Sequence, residues 1–407
     1  MKEVALTPSL AAAGLDEYSK VYGHSVRDMD RLLGEAPGPD DLIDLTHGDT
    51  RAFLPPASAI ADFDAAAKDN TETYSPYRGS ATVRRQLAPR LEALLGRSID
   101  PDSEVILTPG TQGGLFAAIS AIVSPGDVVA YPSTEYFMDE RITAYVGGDS
   151  LRIPVHHDER GLLSVDQHDL DEAARQGARV LLLSHPNNPT GGVFEKESAG
   201  RLSAWVVGQD MIAIFDQLYC RLIFDRNDFV HIGSLPGMRE RSVTLVGPSK
   251  TESMSGYRVG VAVGPASIVD AMEQVVSLAS LRTAGYAQHT LRNWMDGDDE
   301  WLSERIVEHQ RIRDFLVETL RAIPGVTVVP SAGSSYVFPS ISGTSWAARH
   351  GSDDDHAFAI DLKARGVLIS PGYQFGFDGR GHFRINFSQD RARLARAVER
   401  IADVVTR

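Results

Sequence analysis

Between residues 104 and 264 the chain repeats one pattern: a short apolar run, polar residues at its end, then a stretch with helical periodicity. "EVILTPG" (Glu104–Gly110) reads as a strand and "TQGGLFAAISAIV" (Thr111–Val123) as the helix after it. "VVAYP", "RVLLLSHP", "MIAIFDQLY", "SVTLVGPS" and "VGVAVG" continue the series as far as Gly264. Strands alternating with helices make an α/β fold, a mostly parallel sheet flanked by helices. In open sheets of this kind ligands bind outside the carboxyl ends of the strands. Four of these runs end in chemically capable residues, which assigns those ends to one site.

After about residue 290 the texture changes to long helical stretches, such as Asp299–Ile323, followed by strand-like "SSYVFPSI" and "HFRINFS". That reads as a smaller α+β domain. The expected division is an N-terminal arm and part of the small domain over 1–47, a large domain over 48–289 and a small C-terminal domain over 290–407. A chain of 407 residues suits such a two-domain enzyme. Its net charge of −15, with both signs interspersed, argues against nucleic acid as a partner, because phosphate backbones need clustered positive charge. A single cysteine, Cys220, allows no intrachain disulfide and no cysteine-rich metal site, and no metal is expected. No stretch approaches the roughly 20 apolar residues of a membrane span. The expectation is a cytoplasmic protein with no membrane partner.

Lys250 follows the run "VTLVGPS" directly, and "TESMSGYRVG" follows it. A lone lysine after a strand is ordinarily a surface residue, but at a strand end beside a pocket its amine can form a Schiff base with a carbonyl. Asp216 closes "MIAIFD", where it reads either as a helix N-cap or as a carboxylate at the floor of the same crevice. Tyr219 lies three residues on, and Asn188 sits in the Asn-Pro-Thr-Gly turn of "SHPNNPTGG". Three features suit a phosphate: the turn at Gly110, whose free N–H groups at Thr111 and Gln112 open a helix; the Ser249 hydroxyl; and the Arg258 fork.

Together these residues resemble the pyridoxal-phosphate enzymes of the aspartate aminotransferase fold, the class I/II aminotransferases of fold type I. The matching pieces are "YSPYRGSATVRRQLA", "TPGTQGGLFAAISAIVSPGD", "HPNNPTGGVF", "DQLY", "SKTESMSGYRVG" and "GHFRIN". They occur in the family's order over roughly residues 40 to 390. The resemblance implies a seven-stranded, mostly parallel sheet and a pyridoxal 5'-phosphate cofactor on a Lys250 Schiff base. Asp216 would pair with the pyridine nitrogen, and Asn188 and Tyr219 with the phenolic oxygen. Gly110, Thr111, Gln112, Ser249 and Arg258 would hold the phosphate, and Tyr74 would reach the phosphate of a neighbouring subunit in a homodimer. Arg384 would clamp the substrate α-carboxylate, with Asn188 and the backbone of Gly48 nearby. The implied reaction moves the α-amino group of an L-amino acid to a 2-oxo acid with ping-pong kinetics.

The match departs at three places. The family stacks an aromatic ring on the cofactor where "YPSTEYF" has Thr134, with Tyr136 and Phe137 just beyond. Gln217 follows Asp216, and Glu252 stands where an apolar or aromatic residue is usual. Relatives that eliminate, cyclise or use oxygen keep the same lysine, aspartate and arginines, so a lyase, cyclase or oxidase stays an alternative to the transaminase. Regulators carrying this fold need a basic helix-turn-helix module, and the chain reaches "LIDLTHGD" after about 40 residues without one. Rim candidates are His47, Arg282 and the arm residues Tyr18, Tyr22 and His24, each also explained by packing or solvation.

Overall fold

The computed structural model describes residues 7–14, 42–48, 52–70 and 72–406. Tyr18, Tyr22 and His24 lie outside the described residues.

Seven strands form the central sheet: β1 Val105–Thr108, β2 Val128–Pro132, β3 Asp149–Ile153, β4 Ala178–Ser184, β5 Ile212–Asp216, β6 Ser242–Val246 and β7 Gly260–Val263. Their spatial order is β1-β7-β6-β5-β4-β2-β3. Every pairing is parallel except those of β7, which runs antiparallel to both neighbours. The inner strands are short and mostly apolar because helices cover both faces, whereas the edge strand β3 carries Asp149, Ser150 and Arg152. Successive side chains point to opposite faces. Ile214 therefore packs with Ile106, Leu115 and Met272 on one side, while Phe215 packs with Leu202, Trp205 and Met238 on the other.

A second, smaller core gathers around β8 Tyr336–Val337, β9 Ser370–Pro371 and β10 Phe383–Asn386, an antiparallel sheet with β10 in the middle. The helices Asp299–Arg321 and Arg391–Thr406 close over it. Leu394, Ala397, Val398, Ile401, Val404 and Val405 are buried along the latter, the three-and-four spacing of an amphipathic helix. From the N-terminal side, Ile43–Asp44 pairs with Val367–Leu368, and Ile43 and Leu45 enter the same core. That carries the following residues, Thr46 and His47, to the edge of the central sheet's ligand face.

Leu222 and Phe224 belong to the smaller core although they follow β5 directly in sequence. Between them and β5 sits Arg221, which pairs with Glu252 and, through both carboxylate oxygens at 2.7 and 2.8 Å, with Asp298. Glu252, whose place is usually apolar, is thus neutralised rather than exposed. Its carboxyl is held above the usual range by burial, with Arg221 opposing. A buried pair broken on one side leaves an uncompensated charge. Arg221→Met is expected to lower unfolding stability by about 3–5 kcal/mol in a denaturant titration, and adding Glu252→Met is expected to recover much of the loss. A single variant as stable as wild type would show that this pair does not fasten the two cores.

Candidate active site

The carboxyl ends of β1, β5 and β6 share one edge, and β7 begins there, with Gly260 opposite Thr108 and Val261 opposite Val246. Arg258, just before β7, is therefore delivered to the helix that leaves β1. The parallel register sets Asp216 opposite both Leu245 and Ser184. A cavity of about 510 Å³ opens at this edge, and Lys250, Asp216, Tyr219 and Asn188 line it, together with Thr111, Gln112, Ser249, Arg258 and Arg384. A wider surface groove along Asp299–Arg321 has no lysine or tyrosine among the side chains lining it.

One end of the cavity suits a phosphate dianion. The helix α1 (Gly110–Ile122) starts after Pro109, which provides no side-chain cap, so the first N–H groups of the helix remain free for an anion. Gly110 has φ +72°, and a Cβ there would stand 2.5 Å from Arg258 Nη2, so only glycine permits the arginine's approach. Ser249 Oγ is buried and has no hydrogen-bond partner among the described residues. Arg258 adopts the left-handed conformation and donates Nη1 to Ser255 O at 2.8 Å. Free amides, an orphaned hydroxyl and a guanidinium are the donor set such a group requires.

Asp216 ends a strand of buried apolar residues. Burial pushes its carboxyl up to about 6, while the Leu218 N–H at 3.2 Å and the Lys250 charge pull the other way. A cationic ring nitrogen set against it would hold it ionised. The Tyr219 hydroxyl donates to Tyr336 Oη at 2.7 Å. Burial opposes ionisation of Tyr336, but the Lys250 and Arg384 cations outweigh it and hold that phenol below the usual range.

Arg384, on β10, is buried. It donates Nη1 to Asn188 Oδ1 at 2.8 Å and Nη2 to Ser370 Oγ at 3.1 Å. Its guanidinium carbon lies 4.2 Å from the centre of the Tyr336 ring and 5.0 Å from that of Phe375. Nη2 also donates to Thr46 O at 3.3 Å, and Nε has no partner among the described residues, leaving Nε and the second Nη1 N–H uncommitted for a carboxylate. These are groups that could hold a pyridoxal phosphate: free amides, Ser249 and Arg258 for a phosphate, a buried acid for a cationic ring nitrogen and a lysine amine for an aldehyde.

Two expected residues, Thr134 and Gly48, are not among those lining the cavity. Thr134 is buried behind the cavity, its carbonyl accepting Asn187 Nδ2 at 3.1 Å. The ring that lines the cavity belongs to Tyr136, whose hydroxyl donates to Gln112 Oε1 at 3.2 Å, with Phe137 beside it. Both sit at the start of the helix α2 (Phe137–Val146), Tyr136 as its N-cap, so the aromatic comes from the helix entry rather than the strand end. Gly48 packs against Asn386 and Ser388, and His47 faces the cavity in its stead. Tyr74 is 80% exposed on the outer surface. Arg282 lies over the rings of Tyr74 and Tyr77 and donates to Ser75 O at 2.7 Å.

Tyr336, Ser184 and Glu135 were not singled out from the sequence. Tyr336 and Ser184 line the cavity, and Glu135 is buried beside Ser184. The available signal was faint: a tyrosine in "SSYVF" and an acid after Thr134 look like strand and turn residues until the tertiary fold sets them against Lys250 and β4.

The model of the family described as Aminotransferase class I and II matches residues 40–401. An LL-diaminopimelate aminotransferase of Syntrophobacter fumaroxidans is 31% identical over 382 residues, covering 92% of this chain and 94% of that one. An aromatic-amino-acid aminotransferase of Thermococcus litoralis is 26% identical over 381 residues, 93% and 95% of the two chains. The crystal structure of an aspartate aminotransferase from Rhodobacter sphaeroides superposes with a TM-score of 0.84 at 35% identity, covering 94% of this chain and 96% of that one.

The Asp216 environment sets a measurable pH dependence. Its folded-state value, about 6, lies above the model-peptide value of 3.8, so the stability it contributes is full at low pH and lost as pH rises through about 6. In cofactor-free protein, Asp216→Asn is expected to raise stability by about 1–2 kcal/mol at about pH 8 and by about a third of that near pH 4.5. Urea titrations at the two pH values give the difference directly; an asparagine variant that loses stability at pH 8 would contradict the assignment.

Proposed function

The chain belongs to the class I and II aminotransferase family, and from that premise we propose a division of labour among the residues of its cavity. It is a pyridoxal-phosphate-dependent enzyme that transfers an amino group between an amino acid and a 2-oxo acid. The observation that carries the reading of the site is that one lysine, one buried acid and two arginines on separate elements open onto the same cavity.

Pyridoxal phosphate supplies an electron sink for charge left on the substrate α-carbon. Lys250 would hold the cofactor through its amine, and its free amine would be placed to take a proton as general base. Asp216 would face the pyridine nitrogen and favour its protonated form. Asn188 would donate Nδ2 to the phenolic oxygen, Tyr219 would donate to it in place of its bond to Tyr336, and the Tyr136 ring, which lines the cavity where Thr134 does not, would supply the aromatic wall. Ser249, Arg258 and the N–H groups of Thr111 and Gln112 anchor the phosphate; Gly110 lets Arg258 come close. Arg384 binds the α-carboxylate as a fork, supported by Asn188. The order of events is ping-pong, with an L-amino acid as first substrate. The relatives are named for aspartate, LL-diaminopimelate and aromatic amino acids, so the donor is chosen by walls that vary within the family.

The functional unit in this reading is a cytoplasmic homodimer with no nucleic-acid or membrane partner. Each chain divides into a large domain over 48–289 and a small one over 290–407, with 1–47 as arm. Tyr74, Leu278 and Leu281 are 80%, 88% and 48% exposed on one side of the chain near Arg282, an apolar surface of the kind that a second copy covers. Tyr74 would then reach the partner's phosphate site. No described helix is long and apolar enough to cross a membrane.

Purified protein is expected to show a visible imine band that an amino acid bleaches once, without an acceptor, and that a 2-oxo acid restores. Lys250→Ala should carry no such band and lose more than about 10⁴-fold in kcat; a normal band in this variant would refute its role. Mixing Lys250→Ala chains with Tyr74→Ala chains tests the shared site. One site of each mixed dimer is then intact, so cofactor affinity lost in Tyr74→Ala should return in the mixture. Absence of any recovery would place Tyr74 outside the partner's site.

A further inference from the structure

Glu135 is a fully buried acid that the transamination roles above leave unused, and it sits in a place most of the chain's chemistry would disfavour. Only 3% of its surface is exposed. Asp216 adds a like charge, and Asp139, itself buried with no partner on either oxygen, faces it from the first turn of α2. No cation pairs with it among the described residues: Arg152 is engaged with Glu140 at 2.6 Å. Holding a carboxylate there costs several kcal/mol, and burial pushes Glu135 up to about 8. A position needed only for packing would be served by an apolar side chain.

What Glu135 does have is donors. Oε2 accepts Ser184 N–H at 2.9 Å and Asn187 Nδ2 at 3.4 Å, and Oε1 accepts Tyr136 N–H at 2.8 Å and the Ser184 hydroxyl. Glu135 meets the three N–H donors whether ionised or neutral, and its remaining contact, between Oε1 and the Ser184 hydroxyl, holds with the proton on either oxygen. Ser184 passes the constraint on, because its Oγ also accepts Asn188 N–H at 2.9 Å. Asn188 Oδ1 in turn holds Arg384 Nη1 at 2.8 Å. The path Glu135–Ser184–Asn188–Arg384 runs from the end of β2, through the end of β4, to the arginine on β10.

We propose that Glu135 is a positioning residue for substrate-carboxylate recognition, fixing Ser184 and the Asn188 turn so that Arg384 is held in its binding orientation. The inference rests on the assignment of Arg384 to the α-carboxylate. Glu135→Gln replaces one acceptor oxygen with an NH₂ group that confronts Ser184 or Tyr136 donors. Ser184→Ala cuts the next link but leaves Glu135 its two backbone N–H partners, so it tests the path even if the first variant folds poorly.

The probe is hydrocinnamate, an unreactive monocarboxylate, titrated against cofactor-loaded protein by its perturbation of the visible band, alongside steady-state kinetics and thermal unfolding. For each variant the expected result is about a tenfold weaker hydrocinnamate affinity and a similar rise in KM for both substrates, about 1.4 kcal/mol, with kcat changed less than about threefold. The double variant should be no worse than Glu135→Gln alone, since both act on one path. Wild-type hydrocinnamate affinity in both variants, whatever their unfolding temperatures, would overturn the proposal. Arg384→Ala separates the two layers. If it does not weaken hydrocinnamate, the assignment of Arg384 fails; if it does and the other variants do not, only the role of Glu135 fails.

Discussion

An ionised carboxylate at the end of a buried strand has few ways to survive, and the site is arranged around the one at Asp216. β5 brings it to the sheet edge among apolar neighbours, where burial alone would favour the neutral acid. A cation must face it for the charge to persist. Lys250 gives part of that field, and a cationic ring nitrogen, in the proposed reading, would give the rest. The stability lost by burying the charge is recovered as a proton held where the reaction needs it. The same tension recurs at Glu135 and Glu252, each retained in the interior by donors or by an arginine rather than by solvent.

The two cores divide the recognition problem. Elements of the central sheet carry the phosphate anchors, the acid and the lysine, whereas Arg384, Tyr336 and Ser370 stand on the small antiparallel sheet. At the cavity the two meet through Tyr219 and Tyr336 and through Asn188 and Arg384. In the proposed reading, a carboxylate bound at Arg384 would act on groups of both cores at once, which is how distal binding energy becomes orientation at the reacting atoms.

Lys250, Asp216, Asn188, Ser249 and Arg258 were legible because strand ends in an open sheet converge whatever the loops do, and each sits within a few residues of such an end. The family motifs sharpened that reading into named groups. Thr134 and Gly48 show its limit. Both lie one or two positions from the residue that faces the cavity, Tyr136 in one case and His47 in the other. A motif gives a position to within a turn, but the direction of a side chain in a turn depends on φ and ψ that neighbours in space decide. Here Glu135 fastens the turn to β4, and Tyr136 becomes the helix N-cap.

By itself the sequence determined the α/β class, through apolar periodicity and turn composition that are local and survive being read one segment at a time, and its motifs, through their resemblance to a family, the cofactor chemistry. The tertiary structure decided which aromatic faces the ligand, that Tyr219 shares its proton with Tyr336, and that a buried acid and an asparagine turn stand behind Arg384. Those facts depend on pairs separated by tens to hundreds of residues. Hydrogen bonds between such pairs form only once the sheet and the smaller core have brought them within about 3 Å, and nothing in the spacing of either partner announces the other.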